Sequence, residues 1–379
     1  MPELMEPAID IPRLSVVLPV YNAAHFLREA LGSVLSQDFG DFECIAIDDG
    51  STDASAEILD EHGRRDARLR VIHQPNAGIV EALNRGIGLA RAPLIARMDA
   101  DDVCLPGRFT AQMRHFSGRD DLGVLGGQVQ LIDDDGGPLR LVDYPAGGDE
   151  LKGFLEEGSP LAHPAVMFRK AAIESAGLYR QAFRHAEDYD LWLRVAEAGY
   201  AIENLKIPLI KYRQHAAKIS VVHRRQQALA TLAAQCAHRA RMAKLPDPTA
   251  GLDHLDEQVF DLFPQALMDD FRERLFAVRM GAPSFATEQD LVQALQDFER
   301  LPANLQRTRG GASFLIQAGL GAWKLRLHSL ALTAITRALV VAPAQVGMGG
   351  LGKASRLLRR LISSPDESSP GKSRSSNAA

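Results

Sequence analysis

The sequence predicts an α/β protein built on a doubly wound, mainly parallel sheet and followed by an α-helical C-terminal region. Two observations carry this. Through about residue 135, apolar runs of strand length alternate with amphipathic runs of helix length. Beyond about residue 223, Ala-rich charged sequence keeps helical spacing without strand-like runs. Strands that alternate with helices imply right-handed crossovers and parallel pairing.

The elements follow in order. LSVVLPV (14–20) is near-continuously apolar and β-branched, as expected of a strand buried on both faces of a parallel sheet. NAAHFLREALGSVLSQ then places Phe26, Leu27, Ala30, Leu31, Val34 and Leu35 at helical spacing, with Asn22 expected as the N-cap. The unit repeats: FECIAI (42–47) and a helix from Thr52 or Asp53, LRVIH (69–73) and a helix over 79–91, PLIARM (93–98) and a helix opening at Pro106. Met98 is expected in the core. LIDDDGGPLRLV reads as a hairpin closed by a Gly turn, its Asp run a solvated loop. IPLIKY (207–212) is a further strand, PDPTAG (246–251) breaks the helical region, and SSPDESSPGKSRSSNAA has the composition of a disordered tail. The expected organisation is an N-terminal extension (1–11), the α/β domain (12–222), a helical region (223–362) and the tail (363–379).

Bulk properties exclude several classes. A chain of 379 residues, 46% hydrophobic, can bury a sizeable core, and a net charge of -5 offers no footprint for nucleic acid. Cys44, Cys104 and Cys236 are few and scattered, which fits a reducing compartment and neither a disulfide framework nor a zinc site. The N-terminus lacks the basic flank and apolar core of a signal peptide, and the most apolar stretch, SLALTAITRALVVAPAQVG, is broken by Arg337 and Pro343. A cytoplasmic location is expected. KASRLLRRLI (353–362) is basic and amphipathic, and two readings stand for it: packing as a terminal helix, or contact with a partner or the anionic inner face of the membrane.

Polar residues gather where the strands end: Tyr21 and Asn22 after the first, Asp48 and Asp49 after the second, Asn76 and Gly78 after the third, Asp99, Asp101 and Asp102 after the fourth. Each alone could be a turn or a cap. Together they mark one edge of the sheet, the carboxyl edge where such folds bind ligands. Crowded carboxylates repel, so a cation is expected among Asp99, Asp101 and Asp102. If the chain is extended there, Asp99 and Asp101 face the same side, and hard oxygen ligands suit Mg²⁺ or Mn²⁺, with a diphosphate completing the shell. Tyr21 offers a ring face to a base, and Asp48 or Asp49 an acceptor for a base N–H. Neither G-x-x-x-x-G-K-[ST] nor a G-x-G-x-x-G after the first strand is present, so the metal would hold the phosphates. Arg97 would neutralise the acids or touch the nucleotide, with Arg85 and Arg108 as similar cases.

VVLPVYNAAHFLREALGSVLSQDFGDFECIAIDDGSTD, NAGIVEALNRGIGLARAPLIARMDADD, HPAVMFRK and AEDYDLWLR, in this order over residues 12–220, resemble the family 2 glycosyltransferases, inverting enzymes of the GT-A fold that use nucleotide-diphospho-sugars. The resemblance implies a mixed, mainly parallel sheet. It also implies a nucleotide site drawing on Pro19, Tyr21, Asn22, Asp48, Asp49, Asn76, Gly78, Arg97, Asp99 and Ala100. Mn²⁺ or Mg²⁺ would sit on Asp99 and Asp101, with His215 as a further ligand or a simple hydrogen-bonding residue. Asp188 is implied as the base that deprotonates the acceptor hydroxyl, beside Glu187, with His163, Asp102 and Trp192 on the acceptor side. The residues themselves agree for Asp188: it opens a helix with Leu191, Trp192, Val195 and Ala196 at helical spacing, where backbone N–H groups and the helix dipole favour an ionised carboxylate. Asp190 adds a third acid, more than dipole complementation needs. The function expected is sugar transfer, from a UDP-sugar as the first choice, to a glycan or lipid-linked hydroxyl. Two other readings stand beside it: a D-x-D phosphohydrolase, and a non-catalytic nucleotide-sugar-binding partner.

Overall fold

The computed structural model describes residues 11–214, 224–280, 288–299, 303–306 and 309–341. The extension, His215, the 353–362 segment and the tail lie outside the described residues, apart from Ile11 of the extension. The chain divides into two compact units, Met1–Met268 and Asp269–Ala379.

The first unit is a mixed sheet with helices packed against it. Strand β1 (Leu14–Val20) is buried at every position, as is β2 (Phe42–Asp48); both are mostly apolar, and the buried Glu43 of β2 is paired with Arg70 and Arg91. With β3 (Leu69–His73) and β4 (Leu94–Arg97) they pair in parallel in the order β3-β2-β1-β4. Helices α1 (Ala24–Leu35), α2 (Ser55–Arg65) and α3 (Ile79–Leu89) make the crossovers. The chain therefore steps outward from β1 to β3 and returns to the other side of β1 at β4. A crevice opens where such a reversal occurs, and here it lies beyond Val20 and Arg97.

After β4, a two-residue strand β5 (Val103–Cys104) and α4 (Arg108–Phe116) precede the long β6 (Leu122–Ile132) and β7 (Pro138–Val142), which form the expected hairpin. Gly136 in its turn has a positive φ of 84°, and Asp133 N donates to Gly137 O at 2.9 Å. Helix α5 (Gly148–Glu157), β8 (Met167–Arg169), α6 (Lys170–Ser175), α7 (Glu187–Glu197) and β9 (Ala201–Arg213) follow. β8 lies antiparallel between β4 and β6, β9 runs parallel to β6, and β5 pairs antiparallel with the end of β9. IPLIKY is thus the second half of a 13-residue strand. Helix α8 (Arg224–Met242) packs on α7 through Glu197, which takes Arg241 at 2.6 and 2.8 Å and His238 at 2.6 Å.

The second unit is helical. Helices Glu288–Glu299, Arg309–Lys324 and His328–Val341 share a core of Leu291, Phe298, Phe314, Leu315 and an alanine stripe, Ala318, Ala322, Ala331, Ala334 and Ala338. Small residues let the last two helices approach closely: a Cβ on Gly319 would lie 2.5 Å from Ile335 Cγ1. Among the described residues no helix is long and apolar enough to cross a membrane.

The same steric logic fixes α3 on β1. A Cβ on Gly86 would fall 2.4 Å from Val17 Cγ1, whereas one on Gly88 meets nothing within 4 Å. Gly86→Ala is therefore expected to destabilise by about 1–3 kcal/mol through overpacking. Gly88→Ala is expected to be neutral or to stabilise by up to about 1 kcal/mol through helix propensity. Urea unfolding midpoints of the two variants check this, and equal shifts would contradict the packing described.

Candidate active site

The strand ends meet in one cleft of about 790 Å³ whose lining includes Pro19, Tyr21, Asn22, Asp49, Asn76, Gly78, Arg97, Asp99, Ala100, Asp101, His163, Glu187 and Asp188. The loops that carry them are laced to one another. Asn22 sits in the left-handed region (φ 48°), and it does not cap α1 as its sequence position suggests. Its Oδ1 accepts Thr52 N at 2.8 Å and its own N–H donates to Ser51 Oγ at 3.0 Å. The first amides of α1 are capped from the neighbouring loop instead: Ala23 N donates to Ser55 Oγ (2.9 Å) and Ala24 N to Asp53 Oδ2 (3.0 Å). Asp49 organises the next loop, with Oδ1 accepting Gln74 Nε2 (2.7 Å) and Ala77 N (2.8 Å) and Oδ2 accepting Gly78 N (2.8 Å). The two loops touch so closely that a Cβ on Gly50, itself at φ 73°, would lie 2.7 Å from Asn76 N. Tyr21 stands free of this lacing, 54% exposed, with its ring in the cleft.

At the end of β4, Asp99, Asp101 and Asp102 each offer a carboxylate oxygen, and these atoms lie within 4.8 Å of one another. The expected cation is partly built in. The buried Arg97 pairs with Asp99 Oδ2 at 2.6 Å. Burial alone would weaken its hold on a proton, but Asp99, Tyr179 and Asp102 around it together outweigh that and its pKa is raised. Asp102 is fully buried, and its Oδ1 accepts Arg213 N at 2.8 Å. Arg108 does not reach the acids: it lies beneath them, donating to Arg97 O (2.8 Å) and Val166 O (3.2 Å). Arg85 donates to Gln74 Oε1 at 2.8 Å and does not line the cleft.

Helix α7 presents Glu187 and Asp188 to the cleft while its other face is anchored. Asp190, buried completely, turns away and pairs with Arg180 and Arg194. Arg180 and Arg241 also share Asp247, at 3.1 and 2.6 Å. The third acid of AEDYD thus holds the helix in place. Burial, with the Asp188 charge next, pushes Glu187 up to about 7, and burial raises Asp188 as well. The first-turn amides act in the opposite direction and are outweighed, which reverses the expectation from the helix dipole alone. His163 is held neutral, well below the usual histidine range, by burial and by the Arg97 charge, with Nε2 2.8 Å from Tyr179 Oη.

Three expected residues stand elsewhere. Asp48 does not line the cleft: its carboxylate is folded back on its own turn, accepting Ser51 N at 3.1 Å and facing His73 Nδ1 at 2.8 Å. Asp102 faces the interior and Arg213. Trp192 is fully buried and does not line the cleft; it meets His163, ring centroids 6.0 Å apart. Conversely, Tyr144, Tyr212, Arg184 and His185 line the cleft without having been singled out. Tyr212, the last residue of IPLIKY, sits at a strand end and carried the same signal as Tyr21. Tyr144 comes from the loop after β7, which carries no such mark.

A parallel half-sheet with its switch-point cleft, an acid cluster at the end of the returning strand and a second carboxylate pair facing the same space define a GT-A-type glycosyltransferase. The profile of glycosyl transferase family 2 matches residues 15–175. The chain is 32% identical over 202 residues to the amylovoran biosynthesis glycosyltransferase AmsE of Erwinia amylovora, covering 52% of this chain and 75% of that protein. It is 31% identical over 205 residues to the O-antigen biosynthesis glycosyltransferase WbnJ of Escherichia coli, 53% and 80% covered. Among solved structures, S. aureus TarS 1–349 in complex with UDP-GlcNAc shares the fold, with a TM-score of 0.51 at 16% identity over 88% of this chain and 91% of that one. The chain belongs to glycosyl transferase family 2.

The raised Glu187 value makes stability depend on pH. Its folded value, about 7, lies above the ordinary 4.5, so the folded state keeps a proton the unfolded chain loses. The resulting stabilisation is complete below the unfolded value and is lost as the pH rises through about 7. Thermal midpoints of the wild type are therefore expected to fall across that window more steeply than those of Glu187→Gln. Parallel curves for the two proteins would contradict the assignment.

Proposed function

We propose that this glycosyltransferase moves a sugar from a nucleotide-diphospho-sugar, with UDP as the nucleotide, to a hydroxyl of a glycan or lipid-linked acceptor, in a metal-dependent, inverting reaction. One observation carries the reading: the aromatic Tyr21, the acids Asp99 and Asp101 of the oxygen-only cluster, and the carboxylate pair Glu187 and Asp188 line the same cleft. Tyr21 supplies the ring face. A carboxylate has about four acceptor positions, and the loop amides and Gln74 occupy three of those on Asp49, which leaves room for an N–H of uracil.

The acid cluster fits a hard divalent cation, Mn²⁺ or Mg²⁺, by its donor chemistry. Asp99 and Asp101 would hold it, and when bound it would neutralise the charge that develops on the departing diphosphate. The protein's own part is to hold these acids together and to move a proton. Asp188 takes the proton of the acceptor hydroxyl as its oxygen bonds to the anomeric carbon and the bond to the diphosphate breaks on the opposite face. Glu187, raised to about 7 by burial and by the Asp188 charge, is suited to keep a proton near neutrality, and the base role is assigned to Asp188. His163, Tyr144 and Tyr212 line the space left for the acceptor. A D-x-D phosphohydrolase would place its acids on the first strand of the domain, whereas here they follow the fourth. The family match favours transfer over that reading and over a non-catalytic binder.

Asp101→Ala is expected to abolish metal-dependent binding of UDP while leaving the thermal midpoint unchanged or raised, since it removes charge repulsion together with a ligand. Calorimetric titration of UDP with and without Mn²⁺ checks this, and unchanged metal dependence would refute the metal assignment. Asp188→Asn is expected to reduce turnover by roughly two to four orders of magnitude, the usual worth of a positioned base, with UDP affinity near wild type. Hydrolysis of a UDP-sugar, water replacing the acceptor, provides the rate; wild-type hydrolysis in this variant would reject the base. Tyr21→Ala is expected to weaken UDP binding by about 1 kcal/mol, a stacking-sized loss, and Tyr21→Phe to cost little. Equal losses would assign the contact to the hydroxyl.

A further inference from the structure

The residue that ties the acid cluster to the rest of the cleft is Arg213, the last residue of β9. It is 2% exposed. Its backbone N–H donates to Asp102 Oδ1 at 2.8 Å, and its Nε donates to the main-chain oxygen of Asp101 at 3.0 Å. Nη1 donates to the main-chain oxygens of Asp133 (3.2 Å) and Asp134 (2.8 Å) in the β6–β7 turn. Nη2 pairs with Glu29 Oε2 on α1 at 2.6 Å, and the guanidinium lies 4.5 Å from the ring centre of Phe26, itself in the cleft wall. One planar fork thus spans segments drawn from β4–β5, β6–β7 and α1.

We infer that Arg213 is a positioning residue for the proposed metal site: its guanidinium fixes the main chain at Asp101 against the β6–β7 turn and α1, its backbone N–H meets Asp102, and the turn that carries the acids is thereby held in a ligating arrangement. The inference rests on the metal-dependent reading above. Arginine suits the task because its donors are rigidly splayed in one plane, so that a single group satisfies carbonyls and a carboxylate in different directions. Lysine, with one compact charge, cannot reach all of them. Asp101 O, Asp133 O and Asp134 O are neutral acceptors, and the one charged partner, Glu29, has a 55% exposed side chain on α1, so the fork fixes the backbone of the acid cluster while its charge is balanced from the other side. Partners that orient ligands in this way typically carry 10–100-fold in metal affinity when removed.

The test compares Arg213→Lys with Arg119→Gln. Arg119 ties Asp121 to Glu203 at the N-terminal ends of β6 and β9, at 2.9 and 2.8 Å, whereas Arg213 is at the C-terminal end of β9, and so it controls for lost stability alone. Mn²⁺ binding is followed by electron paramagnetic resonance in the presence of UDP, and amide hydrogen exchange of residues 99–104 and 133–137 is measured without metal. Arg213→Lys is expected to weaken Mn²⁺ binding by about tenfold and to speed exchange locally in both segments, whereas Arg119→Gln changes neither. Unchanged Mn²⁺ affinity, or exchange that rises uniformly in both variants, would overturn the inference. Should Arg213→Lys fail to fold, Glu29→Gln, at a 55% exposed side chain, replaces it: a loss of Mn²⁺ affinity of at least about twofold supports the inference and unchanged affinity overturns it. A wild type that binds no Mn²⁺ in the presence of UDP would instead overturn the metal reading, and this inference with it.

Discussion

The feature on which the rest depends is the repulsion among Asp99, Asp101 and Asp102, whose oxygens are brought within 4.8 Å at the end of a buried strand. Like charges at that separation repel and cost stability unless something compensates. The chain compensates from several sides. Arg97 on β4 itself pairs with Asp99, and Arg213 from β9 meets Asp102 and the backbone of Asp101. Arg108 holds the carbonyl of Arg97 from below. The result is a group of carboxylates tied into the fold from β4, β9 and α4.

A second opposition operates on α7. The helix dipole contributes about 0.3–1 kcal/mol in favour of a first-turn carboxylate, which is less than the ~1.4 kcal/mol that corresponds to one pKa unit. Burial of Glu187 beside Asp188 lifts it from 4.5 to about 7, so burial wins by a wide margin. That outcome requires a helix that cannot shift to relieve it. The Asp190–Arg180–Arg194 group and Asp247 provide the anchor from the far face. Stability is thus given up at the cleft and recovered behind it, in a single turn of helix.

The four parallel strands were legible in the sequence because each is a short, mostly apolar run between helix-length segments, and LRVIH matches its strand end for end. The carboxyl-edge residues were legible for a related reason: polar residues directly after such runs have few other places to go. β5 and β8, two and three residues long, were not, since neither is long enough to show a period and each exists only by pairing with strands distant in sequence. The individual roles were harder than the location. Asn22 has the residue type of a helix cap and serves as a loop lace; Asp48 and Asp49 are adjacent, yet one closes its own turn and the other faces the cleft; Asp190 belongs to an ion-pair group whose members lie at 180, 194 and 247. Such assignments depend on which partner comes near in three dimensions. Arg213 shows the same limit: nothing in PLIKYR distinguishes it from a surface arginine at a strand end.

The central claim, that the acid cluster and the loops around Tyr21 and Asp49 form one donor site, is tested most directly by anomalous diffraction at the manganese edge from crystals grown with Mn²⁺ and UDP. The account predicts one strong peak within about 2.2 Å of carboxylate oxygens of Asp99 and Asp101, with the uracil ring against Tyr21 and the diphosphate oxygens completing the metal's shell. UDP seated elsewhere, or bound in this cleft with no manganese at the acids, would contradict it.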